Sequence, residues 1–269
     1  MSKEASKGTA LVTGASSGIG AVYADRLARR GYDLLLVARD RKRLEDLAAR
    51  LRGETGVAVE VLTADLTARE DLLAVEKRLR DDAAISLIVN NAGLGPEGAL
   101  IGADIDYLDR MIALNVTAVN RLAIAAATVF AARDRGGIIN IASVVALIPE
   151  IFSGSYSGSK AFVLNLTQAL QSEVAKTSVR VQAVLPGLTR TEIFDRVGRS
   201  FDEFDPASVM DAGDLVDAAL VGFDRGELVT IPSLPDAKDW EAASAARVAL
   251  GPNLSKDKPA DRYRMKAVA

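Results

Sequence analysis

The chain has 269 residues, 49% of them hydrophobic, with 33 basic residues against 36 acidic ones and a formal net charge of -3. That is enough apolar sequence for one large core, and the near balance of charge excludes a nucleic-acid footprint. Cysteine and histidine are both absent, which excludes disulfides, thiolate nucleophiles and Cys- or His-ligated metal, so no metal site is expected and catalysis must rest on Tyr, Lys, Ser, Asp or Glu.

The first residues, "MSKEASK" (1–7), form a short polar leader without the apolar core of a signal peptide, so a cytoplasmic protein is expected. Short runs rich in Val, Ile and Leu then recur along the chain. They are "TALV" (9–12), "DLLLVA" (33–38), "VAVEVLTA" (57–64), "SLIVN" (86–90), "GIINIAS" (137–143), "VRVQAVLP" (179–186) and "GELVTI" (226–231). Amphipathic segments of helical length separate them. Nearly continuous apolar strands alternating with helices predict a parallel sheet covered on both faces, a doubly wound α/β domain of Rossmann type with about seven strands. One domain over 8–233 is expected, followed by a C-terminal helix and polar tail over 234–269. The most apolar long segment, Met111 to Ala132, carries Asn115, Asn120 and Arg121, which argues for a buried or interface helix rather than a membrane span.

"TGASSGIG" (13–20) stands where the first strand turns into the first helix. In such a fold Gly14 permits the tight turn, Gly18 lets the backbone approach a pyrophosphate, and Gly20 lets the helix pack close to the strand. Ser16, Ser17 and Ile19 complete the loop, and the helix N-terminus faces the phosphates. Further on, Tyr156 and Lys160 are spaced i, i+4, so on a helix both project from one face.

The TGxxxGxG spacing, "NNAG" (90–93), Ser143 and "YSGSK" (156–160) together resemble the short-chain dehydrogenase/reductase superfamily, from about Gly8 to about Ile231. The resemblance implies an NAD(P)-dependent oxidoreductase that moves a hydride between nicotinamide and a carbonyl or alcohol substrate. Tyr156 is then the acid/base. A neighbouring ammonium and the positive nicotinamide are expected to favour its phenolate, Lys160 to hold the nicotinamide ribose, and Ser143 to bind the substrate oxygen. Asn115 corresponds to a helix asparagine that holds a water-linked proton path. Asp65 and Leu66 correspond to the adenine site. Asn91, Ala92 and Gly93 run along the cofactor, and Pro186, Gly187, Thr189 and Thr191 form the loop beside the nicotinamide.

NAD-using relatives end the second strand with an acidic residue, where this chain has Ala38 followed by Arg39. A guanidinium there binds a 2′-phosphate bidentately, so NADP is favoured, while Asp40, one position on, keeps NAD open. The segment "FDRVGRSFDEFDPASVM" (194–210) reads as a lid, and Val144, Leu147, Phe152, Ile193 and Phe194 as an apolar substrate wall. A 3-oxoacyl thioester reductase and a non-catalytic dinucleotide sensor are the alternative readings. The apolar helices around 104–133 and 154–176 imply a homodimer or homotetramer; no membrane or nucleic-acid partner is expected.

Overall fold

The structure is a computed structural model that describes residues 7–96, 98–151, 154–192 and 204–263. Within residues 1–232, which form one compact unit, the apolar runs become strands. They are β1 (Thr9–Thr13), β2 (Asp33–Ala38), β3 (Val59–Thr63), β4 (Ile85–Asn90), β5 (Gly137–Ile141) and β6 (Arg180–Val184). β7 (Thr189–Arg190) and β8 (Met210–Asp211) pair with each other, and β9 (Val229–Thr230) joins the main sheet. That sheet has seven parallel strands in the order β3-β2-β1-β4-β5-β6-β9. The expected doubly wound architecture is present, with its order reversing between β1 and β4, where such folds open a binding crevice.

Alternation along each strand explains the apolar runs. Ala10, Val12, Leu34 and Leu36 point to one face, beneath Leu27 of helix α1 (Gly18–Arg29), Leu44 of α2 (Arg41–Thr55) and, from a helix late in the chain, Leu215. Leu11, Leu35 and Val37 point to the other face, towards Val75 of α3 (Arg69–Asp81) and a second helical layer. Both sides are largely apolar, and the amide side chains buried on the central strands are anchored through their nitrogens, as Asn90 Nδ2 is to Asn140 Oδ1 at 2.8 Å.

The long apolar segment supplies part of that second layer, although not as the single α-helix its composition suggested. It runs as α4 (Ile105–Ile112), a π-helical stretch (Ala113–Ala118) and α5 (Val119–Ala132). Ile105–Ala132 is long and apolar enough to cross a bilayer, but α5 lays Leu122, Ala126 and Phe130 into the core beside the sheet. Helix α6 (Gly154–Val174) packs Leu170 and Val174 into the same cluster, and α7 (Ala212–Arg225) carries Leu215 on the first face. The expected lid lies partly outside the described residues. Its end is strand β8, held in register against β7 through Thr189 and Met210. Residues 233–269 form a second unit that contains α8 (Ala237–Ala249), and none of its described residues is buried.

Helix α1 is anchored by charge. Asp25, buried on its inner flank, accepts hydrogen bonds from Arg26 (2.8 Å), Arg29 (3.0 Å) and Arg50 of α2 (3.1 Å), and Arg26 also reaches Asp217 of α7 at 2.8 Å. Burial opposes ionisation of Asp25, but the hydrogen bonds from Arg29, Arg50 and Arg26 outweigh it and hold the carboxyl down at about 2 against the usual 3.8. A depressed carboxyl stabilises the fold above its unfolded pKa and loses that contribution as pH falls through the folded one, here a contribution of about 2 kcal/mol lost between roughly pH 4 and pH 2. Asp25→Asn should therefore lower the urea midpoint at neutral pH and flatten the acid limb of the stability curve in that window. Equal acid limbs for the two proteins would show that the cluster is neutral.

Candidate active site

The site begins where β1 ends. Thr13 Oγ1 donates to the Val89 carbonyl at 3.3 Å and accepts from the backbone N–H of Asn91 (3.0 Å) and Ala92 (3.1 Å). The Asn91 side-chain amide in return donates to the carbonyls of Thr13 (2.9 Å) and Gly14 (3.2 Å). These bonds stitch β1 to β4 at the point where strand order reverses. Gly14 sits at φ +65°, and a Cβ there would come within 2.8 Å of both Ala92 Cα and the Asn91 amide nitrogen. At Gly20 a Cβ would strike the Gly14 carbonyl and the same amide. Two of the three motif glycines are thus required by the clamp itself. Helix α1 then opens from Ser17 with no acidic residue in its first turn, which leaves its positive end free of an internal counter-charge.

All the expected site residues except Gly20 and Asn115 line one cavity of ≈ 1410 Å³. Over β2 and β3 it is bordered by Arg39, Asp40, Arg43, Asp65 and Leu66. Asp65 Oδ1 accepts from the backbone N–H (2.9 Å) and hydroxyl (2.7 Å) of Thr67, so half the carboxylate shapes the turn into α3. Oδ2 lies 4.0 Å from Arg39 Nη1. Burial opposes charge on Asp65, but the Thr67 bonds and Arg39 hold it below its usual range. Asp40 accepts from the Arg43 backbone N–H at 3.0 Å as the cap of α2 and lies 3.5 Å from Arg43 Nε. The acid that kept NAD open at the sequence level is committed to its own helix.

Over β5 stand Ser143, Tyr156 and Lys160, the last two in α6. Tyr156 and Ser143 share a hydrogen bond, and Ser143 Oγ donates to the Pro186 carbonyl at 3.2 Å while accepting from Val145 N–H at 3.3 Å. Lys160 Nζ donates to the Ile141 carbonyl at 3.0 Å and lies 5.8 Å from the centre of the Tyr156 ring. Burial pulls the Lys160 amine down to about 8. Among the chain's own groups, burial pushes Tyr156 up to about 12, against the Ser143 hydrogen bond and aided by Tyr107; the positive nicotinamide of the phenolate expectation stands outside this balance. Desolvation of the anion outweighs the partners present around the ring.

Asn115 lies within the π-helical stretch, behind the cavity wall. Its amide accepts from Leu94 N–H (2.8 Å), donates to the Leu94 carbonyl (2.9 Å) and donates to Ser159 Oγ (3.2 Å). The wider helical turn seats these bonds, a common use of π-helical segments. Among the expected apolar wall residues, Val144 lines the cavity, whereas Leu147 is 42% exposed and does not. Phe152, Ile193 and Phe194 lie outside the described residues. The wall is also supplied by Leu94, Pro96, Ala99 and Leu188, which sequence reasoning missed, and by Phe204 from the segment read as a lid. The run "LGPEGA" directly after the NNAG loop was the available signal.

Residues 8–200 match the short chain dehydrogenase family, more than half of the chain. The protein belongs to that family. Among solved structures, this short-chain dehydrogenase resembles one from Sphingobium yanoikuyae in complex with NADPH, with 52% identity, a TM-score of 0.93, and 96% of this chain and 100% of that one covered. It also resembles a bulky-bulky ketone specific alcohol dehydrogenase from Comamonas testosteroni at 47% identity and a TM-score of 0.88, covering 96% and 99% of the two chains. A very-long-chain 3-oxoacyl-CoA reductase of Anas platyrhynchos is 32% identical over 207 residues, 76% of this chain and 66% of its own length. As a short-chain dehydrogenase the protein is an NAD(P)-dependent oxidoreductase, and its cradle suits a dinucleotide: glycines that no side chain could replace, an open helix N-terminus and a long cleft across the sheet edge.

The clamp makes a prediction about stability. Asn91→Ala removes the two partly buried side-chain hydrogen bonds to the Thr13 and Gly14 carbonyls and should cost about 1–3 kcal/mol. Chemical denaturation of the ligand-free protein reads this directly, and an unchanged midpoint would show that the loop holds without the amide.

Proposed function

We propose that the protein is an NADP(H)-dependent reductase of neutral, bulky, apolar ketones, interconverting them with their secondary alcohols. The observation that carries this reading is the division of charge along the cleft. Among the described residues the charged groups that line it, Lys160 apart, gather at Arg39, Asp40, Arg43, Asp65 and Glu192, while the wall around Tyr156 is Leu94, Pro96, Ala99, Val144, Leu188 and Phe204. An apolar body fits that wall, and among its described residues a charged acid or nucleotide-bearing thioester finds no cation besides Lys160. The Comamonas relative is named for bulky-bulky ketones, and the Sphingobium relative is described in complex with NADPH. The Anas platyrhynchos relative favours a 3-oxoacyl thioester as the second reading, and the intact Ser143, Tyr156 and Lys160 set argues against a sensor without turnover.

When bound, the nicotinamide supplies the hydride that reaches the carbonyl carbon. Tyr156, protonated at neutral pH, gives its proton to the oxygen that becomes the alcohol. Ser143 Oγ, whose proton goes to the Pro186 carbonyl at 3.2 Å, holds that oxygen by turning the hydroxyl from that carbonyl towards it. Lys160 supports the ribose hydroxyls and favours the phenolate left after proton transfer. Asn115 sets the Leu94 wall next to Gly93, where an added Cβ would lie 3.2 Å from Asn115 Oδ1 and 3.7 Å from Lys160 Nζ. That proximity supports a role for Asn115 in returning the proton through Lys160.

Tyr156→Phe keeps the ring and removes only the acid, so it should fold and bind NADPH normally while losing at least about 100-fold in turnover. NADPH oxidation followed with apolar diaryl or branched ketones, small aldehydes and 3-oxoacyl thioesters tests activity and substrate class together. Faster turnover of the thioester than of the ketones would replace the substrate reading, and an active Phe variant would remove Tyr156 from its role.

The protein is further read as a cytoplasmic homo-oligomer. Ile105 (65% exposed), Ile112 (39%) and Ile124 (42%) leave apolar surface on α4 and α5, and Phe162 and Leu166 are only half-buried on α6. Pairing of these helices across a two-fold axis would cover that surface. Light scattering should return a multiple of the 28.4 kDa chain mass, and a monomer at micromolar concentration would overturn the assembly.

A further inference from the structure

The sequence pattern singled out Arg39 as the reader of a 2′-phosphate. A second guanidinium stands at the same lip of the cleft. Arg43, on the first turn of α2, lines the cavity together with Arg39, and its Nη1 lies 2.6 Å from Oε2 of Glu192, just beyond β7. Its Nε is held by Asp40 at 3.5 Å. The fork is therefore fixed at one end by its own helix cap and engaged at the other by a carboxylate 149 residues away in sequence.

We propose that Arg43 is a second ligand of the cofactor's 2′-phosphate, acting with Arg39 to favour NADP(H) over NAD(H), and that Glu192 is the built-in anion which that phosphate displaces and which moderates the preference. This inference rests on the NADP(H) reading above. Its physical basis is the weakness of the existing pair. The Arg43 and Glu192 side chains are 48% and 44% exposed, and ion pairs in that setting contribute about 0.2–1 kcal/mol. A phosphate monoester carries a charge of about -1.5 to -2 with three acceptor oxygens, and a guanidinium meets it bidentately. It outcompetes a carboxylate for the same fork. A ribose hydroxyl is neutral and cannot, so in the presence of NAD(H) Arg43 stays with Glu192. The hydroxyl also finds no unoccupied acid on α2, because Asp40 caps the helix. Glu192 thus moderates the preference: the phosphate must displace it and loses part of its gain in doing so, whereas the hydroxyl leaves the pair intact.

The test is calorimetric titration of the full chain with 2′,5′-ADP and 5′-AMP, which differ only in the phosphate at issue and need no turnover. Arg43→Ala should weaken 2′,5′-ADP about tenfold, with Arg43→Lys intermediate, and leave 5′-AMP within about twofold. Glu192→Gln should tighten 2′,5′-ADP by about two- to fivefold, the size of the exposed pair it breaks, and should do nothing in the Arg43→Ala background. Arg39→Ala separates the two readings. If it abolishes the preference for 2′,5′-ADP while Arg43→Ala and Glu192→Gln leave binding unchanged, the assignment of Arg43 and Glu192 is overturned and NADP(H) specificity stands on Arg39 alone. If the unmodified protein binds 2′,5′-ADP no more tightly than 5′-AMP, the NADP(H) reading itself fails and takes this inference with it.

Discussion

The structure depends on one asparagine. Parallel strands that run in opposite order from β1 outward leave two strand ends side by side with nothing between them, and the crevice that results is useful only if its floor is rigid. Asn91 closes that floor by giving its amide protons to the Thr13 and Gly14 carbonyls while Thr13 Oγ1 receives the backbone of Asn91 and Ala92. The glycines follow from this arrangement. Gly14 and Gly20 are small because the amide already fills the volume a side chain would need. The cradle for the phosphates is therefore a by-product of packing as much as a fit to the ligand.

From that floor the cleft divides into two environments. Over β2 and β3 charged side chains remain half in solvent, and their pairs are weak, long or exchangeable, as with Arg39 and Asp65 at 4.0 Å. Over β5 the groups are buried, and burial sets their protonation, holding a neutral phenol at Tyr156 and a softened ammonium at Lys160. On the proposed role of Tyr156 the phenol is present as the acid, while a pKa so far above neutrality weakens its drive to give up the proton. The same desolvation makes the anion left behind costly, which is why a cation on the next turn of the same helix matters. The two ends of one cleft are thus governed by opposite dielectric regimes.

Much of this was legible in the sequence for reasons that are themselves physical. Strands buried on both faces are mostly apolar, so Leu34 to Val37 and Leu87 to Val89 announce themselves as runs. Tyr156 and Lys160 share a helix face by spacing alone, and the glycine loop sits at the only kind of turn that needs it. What the sequence left hidden depends on distance in space. Arg43 looked like one charge among several at the start of a helix until Glu192 was found beside it. The pKa of Tyr156 follows from its depth, which no spacing encodes, and Leu147 lies on the outside although its neighbour Val145 is buried. Asp65 divides its carboxylate in a way no spacing encodes: one oxygen shapes the turn into α3 and the other lies 4.0 Å from Arg39.

The π-helical stretch at Ala113–Ala118 escaped the sequence pattern for another reason, since periodicity assumes a constant 100° advance per residue. One residue more in a turn shifts the phase of everything beyond it. Helix α4 turns Met111 inward and leaves Ile105 and Ile112 outside, while α5 lays Leu122, Ala126 and Phe130 on the sheet. A single run of helix is in this way geared to two surfaces at once, and the tooth that sets the gearing is the turn that carries Asn115.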